Sequence, residues 1–260
     1  MNNEITMNNE NRENNTWIMS GNRYEAFYKA SGLPLKYMYA DINLKPEAID
    51  AETFRSLKRV HDQCKRFFYS QGSVYIASRN VGNGKTSWAI KIMKRYIQEH
   101  ACYYDLDCVF INVPEFFALR KSAMNYADDA LKFHSLEKRV KQAKLVVFDD
   151  FGCGNTSDFD ETFLYTIIDY RWRNGLSAIY TTNADVKELR KTMGDRIIDR
   201  AVYDSKTCKY WIQGGSRRGM AAQPVNNASV NKPTNIPQRP ATPEKSSYNP
   251  TTTYINGEVF

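Results

Sequence analysis

The sequence predicts an α/β protein built on a parallel sheet covered by helices on both faces. Short, almost continuously apolar runs recur at 73–77, 108–112, 145–149, 177–183 and 207–212, and segments of helical period separate them. The first run passes into a glycine-bearing turn, Arg79-Asn80-Val81-Gly82-Asn83-Gly84-Lys85-Thr86, and then into a helix. The third run ends on Asp149-Asp150, at the sheet edge where such folds bind their ligands.

Each element has its own warrant. Residues 47–69 carry Phe54, Leu57, His61, Cys64 and Phe68 at helical spacing, with Lys58, Arg59, Lys65 and Arg66 on other faces, which predicts one helix. Strand 73–77 feeds the turn and helix 85–99 leaves it. Strand 108–112 precedes helices over 114–124 and 127–142; Pro114 suits a first helical turn, where its missing N–H would have no partner. Strand 145–149, an amphipathic helix over 159–174, strand 177–183, helices over 185–193 and 195–203 and a last strand at 207–212 complete the order. The flanks differ in composition. Residues 1–16 are rich in Asn and Glu and have little to bury, so disorder is expected. Residues 17–46 form an N-terminal extension with Trp17, Tyr24, Phe27, Tyr28, Leu33 and Leu35, which either packs back on the domain or anchors a partner. Residues 47–220 form the main domain. Residues 221–260 hold six of the nine prolines and predict an extended flexible tail, closed by the small apolar cluster Tyr254-Ile255-Asn256-Gly257-Glu258-Val259-Phe260.

Composition narrows the class. A chain of 260 residues with 42% hydrophobic residues can bury a full core. Its net charge of +7 fits a polyanionic partner. The five cysteines form no Cys-x-x-Cys pair and the histidines number three, which argues against zinc and for reduced thiols in the cytoplasm. No apolar run approaches the roughly 18 residues a membrane helix needs, and the N-terminus lacks the apolar core of a signal peptide.

The turn after the first strand is a phosphate-binding loop in its strand–loop–helix setting. Gly82 and Gly84 let backbone N–H groups cradle phosphate oxygens, and the following helix aims its positive end at them. Asn80, Val81, Gly82, Asn83, Gly84, Lys85, Thr86 and Ser87 are the residues expected to hold ATP. Lys85 serves the β- and γ-phosphates, and Thr86 offers a hydroxyl to Mg²⁺. The usual pattern begins with glycine where this chain has Arg79. Asp149 is expected to hold Mg²⁺ with Thr86, and Asp150 to polarise the attacking water. Asn183, at the end of the next strand, is read as a γ-phosphate sensor. Arg196 and Arg200 stand one helical turn apart; one could reach a neighbouring subunit's γ-phosphate, or both could pair with Asp195 or Asp199.

Taken together, the loop, Asp149-Asp150-Phe151-Gly152, Tyr180-Thr181-Thr182-Asn183 and Gly194-Asp195-Arg196-Ile197-Ile198-Asp199-Arg200 resemble the DnaC/DnaI-type replicative helicase loaders of the AAA+ ATPases, in the shortened form of bacteriophage versions. The resemblance spans about residues 50–218. It implies a five-stranded P-loop AAA+ (ASCE) core, ATP with Mg²⁺, and ATP hydrolysis that drives loading of a hexameric replicative DNA helicase onto single-stranded DNA. It also implies a homo-oligomer in the ATP-bound state. By position Arg200 matches the arginine finger, and Arg217 or Arg218 the second sensor. The zinc module of some loaders has no counterpart here, so helicase contact would fall to other residues, such as 17–44. Arg120, Lys121, Lys132, Lys138, Arg139, Lys141 and Lys144, interleaved with Phe116, Phe117, Tyr126 and Phe133, fit single-strand binding by cations and stacking rings, or else a solvated helix whose rings are core. Two other functions remain open: an IstB-type transposition helper that binds duplex DNA, and a noncatalytic ATP-bound adaptor.

Overall fold

The computed structural model describes residues 24–100, 107–154 and 156–217. In chain order these form α1 (24–30), α2 (Leu35–Met38), α3 (Ala51–Asp62), α4 (Cys64–Tyr69), β1 (Ser73–Ala77), α5 (Lys85–His100), β2 (Cys108–Asn112), α6 (Val113–Ala123), α7 (Ala127–Gln142), β3 (Leu145–Asp149), α8 (Asp158–Arg173), β4 (Ser177–Thr182), α9 (Val186–Met193), α10 (Asp195–Ala201) and β5 (Thr207–Trp211). The expected disorder of 1–16, Trp17, Arg218 and the 221–260 tail lie outside the described residues.

All five strands run parallel in the order β2-β3-β4-β1-β5. Their apolar residues alternate between faces, as the pleat requires. On one face Tyr75, Ala77, Val109, Ile111, Val146, Phe148, Ala178 and Tyr180 pack with α6 to α10. On the other, Val74, Ile76, Phe110, Leu145, Val147 and Ile179 pack with α1 to α5. Both faces are therefore dry, which is why the strands read as unbroken apolar runs.

The single helix expected over 47–69 is instead three pieces: a 3-10 turn (Ala48–Asp50), α3 and α4, broken at Gln63 (φ −108°, ψ 26°). The break lets Cys64 and Phe68 turn onto α5, where Phe68 meets Tyr96 edge to face at 5.7 Å. Val60 completes the buried face of α3, whereas His61 is half-buried and bonds to Asp62.

The N-terminal extension packs back on the domain along α5. Tyr28, Leu33 and Met38 enter the core, while Leu35 and Tyr39 stay exposed. Lys94 Nζ donates to the carbonyls of Tyr37, Met38 and Ala40 at 3.1–3.2 Å, and Lys91 Nζ donates to that of Ile42 at 2.8 Å. These cations grip main chain.

Behind the sheet, Arg171 of α8 is fully buried. Its guanidinium donates to the carbonyls of Val140, Ala143 and Ser177, closing the end of α7 and the start of β4. Burial lowers its pKa to about 10, so it remains charged at neutral pH. Arg171→Leu would leave those carbonyls without a donor, each costing about 1–3 kcal/mol. A loss of at least about 3 kcal/mol is expected on that basis, read from the urea midpoint.

Candidate active site

The site lies at the carboxyl ends of β1, β3 and β4. Because the sheet is all parallel, these three ends share one edge.

The loop after β1 is held from within and from behind. Gly82 and Gly84 take φ values of 80° and 104°, a region closed to most side chains. Trp88 N donates to Gly84 O at 2.8 Å and opens α5. Lys85 is buried, and its Nζ donates to Asn80 O at 2.9 Å and Asn83 Oδ1 at 3.3 Å. The ammonium is thus drawn across the loop that it would share with a phosphate. Asn83 is fully buried and donates to Ser78 Oγ and Ile212 O. Asn80 Nδ2 donates to Gln213 O at 2.8 Å and Gly214 O at 3.1 Å. Arg79, in the usual glycine position, extends outward to pair with Asp185, the residue that caps α9. Val81 is exposed, and Thr86 and Ser87 are half-buried in the first turn of α5.

Asp149 closes β3, 5% exposed. Thr181 Oγ1 donates to its Oδ1 at 2.6 Å and accepts from Asp150 N at 3.1 Å. Burial raises the Asp149 pKa; the Thr181 hydrogen bond opposes this, the Asp150 charge adds to it, and Thr86 and Lys85 oppose it. Thr86 and Asp149 are therefore close enough to interact, and their hydroxyl and carboxylate oxygens are hard donors of the kind Mg²⁺ takes. Among the described residues no cluster of three or more His, Cys, Asp or Glu could hold a metal by itself, so an ion here would need phosphate oxygens as well.

Asp150 has φ 54°, in the left-handed region where Asp and Asn are the favoured non-glycine residues. The backbone itself favours the shorter acid at this position. Asn112 Nδ2 donates to Asp150 Oδ2 at 2.9 Å, while Asn112 Oδ1 caps α6 by accepting from Glu115 N. Sequence reading missed Asn112. The available signal was its place at the carboxyl end of a buried strand, in register with Asp149. Asn183 follows β4, and its Oδ1 is buried with no hydrogen-bond partner among the described residues. An unsatisfied acceptor at that strand end suits a water or a ligand donor.

Two expected residues sit differently. Arg200 is turned to its own chain: its Nε donates to Asp169 at 2.7 Å and it lies over Tyr165 and Trp172. Asp195 and Asp199 pair with Arg190 instead. The fold brings Arg200 to α8, away from this chain's loop. Arg217 N donates to Gly82 O at 2.9 Å, but its guanidinium is held by Asp50, by Lys45 O and by the Phe54 ring.

Of the single-strand pattern, three of the four rings and Arg120 are core, while most of the other cations are exposed. Phe116, Phe117 and Phe133 are buried, and Arg120 is buried against Asp160 at 3.1 Å with its guanidinium over Phe159 and Phe163. Arg139 donates to Ala30 O, and Lys141 lies over Tyr170. The α6–α7 hairpin exposes Met124, Tyr126 and Leu131, and of the predicted cations Lys121, Lys132, Lys138 and Arg139.

No protein-family model matches the chain, and no curated protein does. Solved structures are similar in fold. A DnaC helicase loader aligns at 18% identity with a TM-score of 0.54, over 69% of this chain and 99% of its own. DnaI aligns at 20% identity and 0.54, over 72% of this chain and 94% of its own. Domain III of the Thermotoga maritima replication initiation protein DnaA aligns at 14% identity and 0.52, over 68% and 67%.

Asp149 titrates above its unfolded value, so its charge destabilises the fold above that raised pKa, and the penalty fades as pH falls through it. Asp149→Asn is expected to raise the melting midpoint measured without nucleotide. The same variant should lose Mg²⁺-dependent nucleotide binding, and both effects can be read in one calorimetric series. In the wild type, Mg²⁺ dependence should fade on acidification at a higher pH than an ordinary aspartate would give. With five parallel strands, a glycine-bearing loop after β1 and the β3 acids at one sheet edge, the chain has the fold of the DnaC helicase loader, of DnaI and of domain III of DnaA.

Proposed function

We propose that this protein is an ATPase that loads a hexameric replicative DNA helicase onto single-stranded DNA. The observation that carries the reading is the convergence of the Lys85 loop, Asp149, Asp150 and Asn183 at one sheet edge, in the fold of a helicase loader. In this reading ATP lies with its phosphates on the amides of residues 80–86 and its charge met by Lys85. Thr86 and Asp149 hold Mg²⁺, which neutralises phosphate charge when bound. Asp150 accepts the proton of the attacking water, and Asn183 Oδ1 orients that water. Asn112 holds Asp150 in place and ties it to α6, the first helix of the exposed hairpin.

The site is completed by a second copy: Arg200 of one subunit meets the γ-phosphate held by the next, leaving Asp169 to do so. Single-stranded DNA meets the tip of the α6–α7 hairpin, where Tyr126 stacks on a base and Lys121 and Lys132 meet phosphates. The helicase meets the N-terminal extension, whose exposed Leu35 and Tyr39 are the apolar groups left over after docking on α5.

Three variants test these parts. Lys85→Ala should abolish ATP turnover and weaken ATP binding. Arg200→Ala should keep ATP binding within about twofold and lower turnover by at least about a hundredfold, as loss of an arginine finger does; normal turnover would remove the shared site. Tyr126→Ala should weaken binding to an oligothymidine strand by about 1–3 kcal/mol, measured by fluorescence anisotropy. Pull-down with the hexameric helicase separates the loader from the transposition helper, which would coat duplex DNA. Binding of ATP without turnover would point to the adaptor.

A further inference from the structure

Asp50 is a fully buried carboxylate to which the proposed chemistry assigns no role. It closes the 3-10 turn before α3, yet its partners lie more than 160 residues away. Its Oδ1 accepts from Gln213 N at 2.8 Å, and its Oδ2 accepts from Gly214 N at 2.9 Å and Arg217 Nη2 at 3.0 Å. Beside it, Glu47 accepts from Gly215 N at 3.2 Å. The segment after β5 is thus pinned by acid groups from the other end of the domain. That same segment holds the phosphate loop: Gln213 O and Gly214 O accept from Asn80, Ile212 O accepts from Asn83, and Arg217 N donates to Gly82 O.

We propose that Asp50 is a positioning residue that sets the shape of the phosphate loop through residues 213–217. A buried carboxylate with backbone and guanidinium donors is costly to leave half-satisfied, so its partners are held closely in one arrangement. Free of Asp50, the segment would no longer present its carbonyls to Asn80 or its Arg217 amide to Gly82. The loop would then sample conformations in which its N–H groups do not converge. Asp50 thereby acts on nucleotide affinity without touching nucleotide. Gly214 reports how close the packing is, because a Cβ there would collide with Asp50 Oδ2.

The test is amide hydrogen exchange on the full, nucleotide-free chain, comparing wild type with Asp50→Asn, followed by ATP titration and steady-state turnover. The reporters are the Asn80 and Arg217 amides, neither of which donates to Asp50. Both should exchange at least tenfold faster in Asp50→Asn, with β3 amides unchanged. KM for ATP should rise at least tenfold while kcat changes less than twofold, a split that general destabilisation would not produce. Gly214→Ala displaces the same carboxylate from the other side and should reproduce both effects, which keeps the test open if Asp50→Asn does not fold. Unchanged Asn80 and Arg217 amides, or acceleration spread equally over β3, would overturn the proposal. The ATP arm of this inference rests on the nucleotide reading above. If the wild type binds no ATP that reading falls, and the exchange result still decides the role of Asp50.

Discussion

The Thr181 hydroxyl joins the parts of this site. It donates to Asp149, accepts from the Asp150 amide, and stands on the strand that lies between the phosphate-loop strand and the acid strand. Its neighbours in sequence continue the work: Thr181 O accepts from Phe151 N, and Thr182 O accepts from Ser78 N. The ends of β1, β3 and β4 are therefore bonded to one another at the point where each leaves the sheet. Registration of the acids against the phosphate loop is a property of strand order, and the side chains need only be polar at the right edge.

That edge stores an electrostatic imbalance. Burial works against the Asp149 charge, while the Thr181 hydroxyl, Thr86 and the Lys85 charge work for it. A divalent cation would offset the rest of that burial, because charges attract strongly in a medium that screens little. The Asp149 charge thus lowers the stability of the fold, as its raised pKa requires.

Much of this was legible in the sequence, and the reasons differ by element. Strands buried on both faces show as apolar runs whatever their neighbours, so all five were found to within a residue or two. The phosphate loop declares itself because its chemistry is local. Helix faces were harder: Phe116, Phe117, Phe133 and Arg120 carry the composition of a nucleic-acid surface, but on a short two-sided helix the same rings face the core, and Asp160 takes the arginine inside. The break at Gln63 was hidden because helical spacing continues across it. Asn112 and Asp50 were invisible for a deeper reason. Each matters through a partner fixed by tertiary contact, Asn112 beside the β3 acids and Asp50 across more than 160 residues. Local pattern holds no trace of such pairs.

The lysine clasp on the N-terminal segment has a consequence for how such a protein can change. Lys91 and Lys94 donate hydrogen bonds to carbonyl oxygens, which every residue has, within residues 37–42, and Lys94 also lies over the Tyr28 ring. Those hydrogen bonds are indifferent to which side chains the segment carries at the exposed Leu35 and Tyr39. Mutations there can remodel the outer surface while the segment stays moored to α5. A chain built this way can rewrite a few exposed residues and keep the main-chain hold on the segment that carries them.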